Sequence, residues 1–272
     1  MSPPKRQVKR RTKKPRQKKR GIYLLPNLLT TGNLFCGFYS IIATINHEFR
    51  TAAIAILFAI LFDILDGKVA RLTGSSSSFG VEYDSLADLV AFGVAPALLV
   101  YMWALIPFGR LGWGAAFLFV ACGALRLARF NTQADSTPKK HFVGLPIPGA
   151  ALMVATTVMF FYRMGGSGPT KHFVLLAMTY VLGFLMVSSI PYHSFKEFDG
   201  FQRMPFRTLF LIILLLSVIA AQPSIMLFTL GFVFVSSGPF GYAHGLLQSR
   251  RQPVDQQTDS QGEMVKSNNG TG

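Results

Sequence analysis

Charge is scarce in this chain, and negative charge is scarcer still. Only 14% of its 272 residues are Asp, Glu, Lys or Arg, against about a quarter in a typical soluble domain. Acidic residues number 12 and basic ones 27. An ordinary water-soluble fold is thereby excluded. Cysteine is nearly absent: Cys36 and Cys122 sit in apolar runs with no partner pattern and read as small buried hydrophobes. The five histidines are scattered. No Ser-His-Asp or Cys-His arrangement stands out, which favours direct displacement over a covalent intermediate. No cleavable signal peptide is expected either. The basic stretch at the start is long, and the apolar run after it has no clear small-residue cleavage site.

What is present is hydrophobic length. Half of the residues are hydrophobic and 25 are Phe. Apolar runs fall near 28–46, 51–70, 86–106, 112–130, 148–163, 172–190, 207–221 and 223–245. Roughly 17–25 apolar residues cross a bilayer as a helix, and backbone groups in lipid must be paired within the segment. The expected class is all-α: a polytopic integral membrane protein with about eight transmembrane helices. Gln222-Pro223 is the only break between the last two.

The first twenty residues hold eleven Lys or Arg and no acid. Beside a membrane span, such a run reads as a cytoplasmic arm near anionic headgroups rather than a nucleic-acid binder. It places the N-terminus in the cytoplasm. The loops after the second, fourth and sixth spans carry Arg71, Arg129, Lys139, Lys140, Lys196, Arg203 and Arg207, more than the opposite loops. That bias agrees with the orientation, and eight spans return the C-terminus to the same side. Residues 1–20 and 248–272 are expected to be disordered polar tails.

Between Arg50 and Ala134 the chain has five acids, Asp63, Asp66, Glu82, Asp84 and Asp88. All lie in the stretch "DILDGKVARLTGSSSSFGVEYDSLAD". Asp63 and Asp66 are three apart and Asp84 and Asp88 four apart, so each pair shares a helix face. Gly74 and the serines after it suit a turn. Two antiparallel helices joined there bring the pairs together. Carboxylates so close at membrane depth need compensation, which Arg71 alone does not supply. Oxygen ligands suit a hard cation, Mg²⁺, Mn²⁺ or Ca²⁺. Mg²⁺ commonly shares its ligands with substrate phosphate, which points to phosphoryl chemistry with two ions. Helix capping and salt bridges to Lys68 and Arg71 would account for one such Asp, not for all of them. A cation-coupled transporter would account for the carboxylates, but not for the glycines and arginine at fixed spacing.

Written as spacing, the stretch is D-x2-D-G-x2-A-R-x8-G-x3-D-x3-D, filled by Asp63, Asp66, Gly67, Ala70, Arg71, Gly80, Asp84 and Asp88. This resembles the signature of the CDP-alcohol phosphotransferases, a family of integral membrane enzymes. The resemblance covers about residues 21–200. It implies a six-helix catalytic core open to the cytoplasm, with 201–247 as two additional helices. It implies that a CDP-linked lipid gives its phosphatidyl group to an alcohol, with CMP leaving. Asp63, Asp66 and Asp84 would bind metal. Asp88 would lie near a metal and act as general base. Asn27, Thr30, Gly67, Ala70, Arg71 and Gly80 would contact the nucleotide, Arg71 through phosphate. A homodimer in the cytoplasmic (inner) membrane is implied as well.

The phrases "DSLADLVAFGVAPA", "ALRLARFN", "FVGLPIPGA" and "MVSSIPYHSFK" are similar to those of family members that use L-serine as acceptor and CDP-diacylglycerol as donor. Relatives that use glycerol phosphate carry Pro-x-x-Asp-Lys after the third aspartate; Ser85 and Leu89 stand in those places here. Serine has a carboxylate that wants arginine. Arg126 and Arg129, three apart on a helix face, with Asn131 and Lys196, form the expected acceptor pocket. Charge alone leaves inositol phosphate and glycerol phosphate open as acceptors.

Overall fold

The computed structural model describes residues 24–73, 77–134, 142–166, 169–192 and 221–249. The basic tail, the expected span at 207–221 and Lys196 lie outside them.

Helix α1 (Leu24–Ile45) and helix α2 (Phe49–Thr73) form an antiparallel pair with extensive contact. Their connection is a tight turn in which His47 has a positive φ of 61°. The third span is one long apolar helical stretch, Ser78–Phe108. It starts as α3 (Ser78–Asp88), widens to a π segment at Leu89–Val94, resumes as α4 (Ala95–Val100) and widens again at Tyr101–Leu105. Helix α5 (Arg110–Ala134) returns, followed by α6 (Ile147–Arg163), α7 (Phe173–Val187) and α8 (Pro223–Ser249).

Among the described residues, four helices have the length and apolar composition to cross a membrane: 25–45, 78–108, 110–132 and 223–242. Helices α6 and α7 are apolar but shorter. Helix α2 has 25 residues, with Asp63, Asp66, Lys68 and Arg71 in its second half. The chain is therefore a multi-pass, essentially all-helical membrane protein, as its apolar runs predict.

Alanine sets the packing. Ala52, Ala53, Ala59, Ala91, Ala95, Ala150, Ala151 and Ala155 are all fully buried. Small side chains let membrane helices approach closely, which matters because lipid supplies no hydrophobic drive for helix association. The large apolar residues point the other way: Phe35, Phe117 and Phe184 are each about two-thirds exposed, as a lipid-facing surface requires. Both cysteines are free, Cys122 buried and Cys36 half-buried.

The third span begins earlier than its hydropathy suggests, at Ser78 rather than near 86. Ser77 has extended backbone and its hydroxyl accepts from the Gly80 N–H at 3.0 Å. That is an N-cap, and it starts the helix within the polar stretch. Asp84 and Asp88 thus sit on a helix already formed.

Near the end of α5, two short strands, β1 (Phe142–Val143) and β2 (Pro191–Tyr192), pair antiparallel. Gly144 bends between β1 and α6 with φ of 84°. A Cβ there would meet the Met186 carbonyl at 2.6 Å, so only glycine fits both the backbone and the contact.

Candidate active site

The motif aspartates converge from two helices. One carboxylate oxygen from each of Asp63, Asp66 and Asp84 lies within 4.8 Å of the others. Asp66 is buried, while Asp63 and Asp84 are half-buried. Asp88, 8% exposed, stands beside this trio, within range of all three charges. The Asp66 carboxylate accepts from the Thr30 hydroxyl at 3.1 Å. That hydroxyl also reaches the Pro26 carbonyl at 3.1 Å, so α1 fixes the orientation of Asp66 on α2.

The donor set fits a hard divalent cation. It is all oxygen and all anionic. The Asp84 Oδ1 atom is buried without a hydrogen-bond partner among the described residues, an arrangement that is costly unless something else satisfies it. Oxygens on opposite sides of one octahedral Mg²⁺ stand roughly 4 Å apart. The observed spacing is therefore close to what one ion draws together.

Against the trio lies a cavity of about 100 Å³. Its walls are Pro26, Asn27 and Thr30 of α1, Asp66, Gly67 and Ala70 of α2, and Ser77, Gly80, Val81 and Asp84 of the α3 end. The small residues of the motif thus face space rather than packing. A Cβ on Gly67 would meet nothing within 4 Å, and one on Gly80 would meet only the Ser77 hydroxyl and the Asn27 amide. Arg71 does not line this cavity. Its Nε donates to the Gly67 carbonyl at 2.9 Å, one turn back on its own helix.

The residues expected to form an acceptor pocket take different partners, although the charges of Arg126 and Arg129 remain within range of each other. Arg126 is 7% exposed, its Nε lacks a partner among the described residues, and it is near enough to Asp88 for their charges to interact. Arg129 is engaged elsewhere. Its guanidinium donates to the Val187 carbonyl at 3.2 Å and the Met186 carbonyl at 3.3 Å, so it caps the C-terminus of α7. Unsatisfied carbonyls and the helix dipole both favour a cation there. Asn131 bonds Ser85, with the Asn131 amide donating at 3.0 Å. That pair ties the end of α5 to α3, one residue after Asp84.

Sequence reasoning overlooked Asn33. It is fully buried, and its amide donates to the Asp88 carboxylate at 2.9 Å. The signal was a polar residue one turn beyond Thr30 inside an apolar span, which is rarely idle. It overlooked Tyr83 as well, whose hydroxyl lies 2.9 Å from that of Thr31.

Residues 23–187 match the CDP-alcohol phosphatidyltransferase family. The chain is 38% identical over 202 residues to the CDP-diacylglycerol–serine O-phosphatidyltransferase of Helicobacter pylori, covering 74% of this chain and 84% of that protein. It is 37% identical over 174 residues to the enzyme of the same name from Bacillus subtilis, covering 64% of this chain and 92% of that protein. It is 42% identical over 171 residues to the archaetidylserine synthase of Methanothermobacter thermautotrophicus, covering 62% and 69%.

Proposed function

The chain belongs to the CDP-alcohol phosphatidyltransferase family, and from that premise we propose that it transfers the phosphatidyl group of CDP-diacylglycerol to the hydroxyl of L-serine, giving phosphatidylserine and CMP. The observation that carries this reading is the carboxylate trio of Asp63, Asp66 and Asp84 at the wall of a small-residue cavity, with Asp88 and Arg126 beside it.

The nucleotide end of the donor occupies the cavity. Gly67, Ala70 and Gly80 leave room for the diphosphate, and Asn27 and Thr30 offer polar atoms to it. Asp63, Asp66 and Asp84, with Asp88 beside them, would hold divalent metal, Mg²⁺, Mn²⁺ or Ca²⁺. Such metal would reduce the repulsion between nucleophile and diphosphate and stabilise the leaving phosphate. Asp88 takes the proton of the serine hydroxyl. The freed oxygen forms a bond to the lipid-side phosphorus as the bond from phosphorus to the CMP oxygen breaks, and CMP leaves with that electron pair. Arg126 receives the serine carboxylate, a reading supported by its burial and its closeness to Asp88. Arg71 turns from Gly67 to phosphate when the donor binds.

Residues 21–200 form the catalytic unit and 201–247 add scaffold helices, a division supported by the extent of the family match. The basic first twenty residues support a cytoplasmic N-terminus and a site that opens to the cytoplasm.

The test is CMP release by the purified full chain in detergent, with CDP-diacylglycerol, Mn²⁺ or Mg²⁺, and one alcohol at a time. Serine-dependent release is expected, abolished by EDTA and in Asp84→Asn, and restored to the wild type by added metal. Release with glycerol phosphate or inositol phosphate instead would discard the acceptor. No release with any alcohol would bring a cation-coupled transporter forward.

A further inference from the structure

Asn33 is an expensive residue to place where it sits. It is fully buried in α1, and its Oδ1 has no hydrogen-bond partner among the described residues. Its amide donates to the Asp88 carboxylate at 2.9 Å. The fold gains little from such a pair, because one buried carbonyl stays without a donor and an apolar pair at both positions would avoid that cost. The asparagine is therefore explained by the carboxylate it serves. The amide orientation is not ambiguous either: a carboxylate accepts, so the NH₂ must face it.

The neighbouring turn explains how α1 comes close enough. Gly37, one turn beyond Asn33, faces Ala91, just beyond Asp88. A Cβ on Gly37 would stand 2.6 Å from the Ala91 Cα and 2.7 Å from its Cβ, separations that real atoms do not adopt. Ala91 belongs to the π segment that begins directly after Asp88. The Gly37–Ala91 contact and the Asn33–Asp88 bond thus lie on one seam between the first and third spans, a turn apart.

We infer that Asn33 is a positioning residue that holds the Asp88 carboxylate in its working orientation, and that the Gly37–Ala91 contact sets the helix spacing on which this depends. The inference rests on the proposed role of Asp88 in accepting the proton of the acceptor hydroxyl. Asp88 lies on a helix whose backbone widens immediately afterwards, so its backbone alone leaves the side chain free to choose among rotamers. Asn33 removes that freedom by bonding one carboxylate oxygen and leaving the other for the reaction.

The experiment measures serine-dependent CMP release by the full chain in detergent for Asn33→Leu, Gly37→Ala and the double variant. Displacing a catalytic group by about 1 Å can cost roughly 100-fold. Asn33→Leu is expected to lower kcat by about that factor, with KM for serine and for CDP-diacylglycerol within about threefold. Its melting temperature should fall by no more than a few degrees, since the buried Asp88 carboxylate loses one donor. Gly37→Ala should lower kcat in the same manner with Asn33 intact. The double variant should fall little below Asn33→Leu, because both changes disable one interaction.

A kcat within about threefold of wild type in Asn33→Leu would overturn the inference. So would a loss confined to KM, or losses that multiply in the double variant. If Asn33→Leu proves too unstable to purify, the stability argument fails and the inference with it. Wild-type protein that releases no CMP with any alcohol would instead defeat the functional reading, a distinguishable result.

Discussion

The aspartate seam and the arginine end of this protein lie side by side, yet they treat their polar groups in opposite ways. Along the seam of α1, α2 and α3, Asp84 and Asn33 each keep a buried oxygen without a partner among the described residues, and Gly67 faces open space. At the arginine end, Arg129 uses its guanidinium on two main-chain carbonyls of α7, and Asn131 and Ser85 satisfy each other. Arg126 is the exception there. It is 7% exposed, and its Nε has no partner among the described residues although it lies close to Asp88. Buried polar groups are normally satisfied. Among the described residues, Ser40, Thr44 and Trp103 also carry unpartnered buried atoms, but those of Asp84, Asn33 and Arg126 are the ones gathered at the carboxylate cluster. The bonds of Arg129 hold α5 against α7 instead.

The largest effect that would sharpen this contrast is expected at Asp88. Asp88→Asn should reduce serine-dependent CMP release by roughly 100- to 10,000-fold, the range typical of a lost general base. Binding of CDP-diacylglycerol, followed by titration calorimetry in detergent, should persist. Loss of binding would make Asp88 mainly a ligand and join it to the trio.

The two arginines provide the next test, and the one most able to break the comparison. Losing a hydrogen bond to a charged group costs about 1.5–3 kcal/mol. Arg126→Gln should therefore raise KM for serine by roughly 10- to 100-fold, with KM for CDP-diacylglycerol little changed. Arg129→Gln should instead destabilise the fold by about 1–2 kcal/mol, as for a cation removed from a helix C-terminus, while KM for serine moves by less than about threefold. The reverse pattern would return Arg129 to the acceptor pocket and make Arg126 the structural residue.

The smallest effect on turnover is expected at the basic tail, which contributes eleven of the positive charges. Removing residues 1–20 should leave kcat in detergent unchanged. It should weaken binding to vesicles containing phosphatidylserine or phosphatidylglycerol, and the difference should shrink as salt rises. An inactive truncation would place the tail in the catalytic unit.

Much of this was legible in advance because the controlling physics is local. Hydrocarbon thickness fixes the length of an apolar run, and helical spacing puts Asp63 with Asp66 and Asp84 with Asp88 on shared faces. The sites where sequence reasoning stopped short depend on distant atoms. Arg126 and Arg129 look equivalent at three residues' separation; only the location of the α7 terminus tells them apart. Asn33 gained its meaning from Asp88, 55 positions away. Ser77 was one serine among several until its hydroxyl capped Gly80. Apolar periodicity could not reveal the π segments either, since every residue from Leu89 to Val94 is hydrophobic or glycine.

Those π segments bear on how the protein can vary. An α-helix advances by about 100° for each residue, and a π turn accommodates a surplus residue within it. The stretch Leu89–Val94 therefore works as a phase offset between two otherwise regular pieces: one displays Asp84 and Asp88, the other buries Ala97, Leu99 and Val100. Deleting a single residue there would bring the pieces into step and rotate the carboxylates by about 100° relative to the core. The number of residues between Asp88 and Ala95 encodes an angle, which makes chain length at this point as much a part of the chemistry as any side chain.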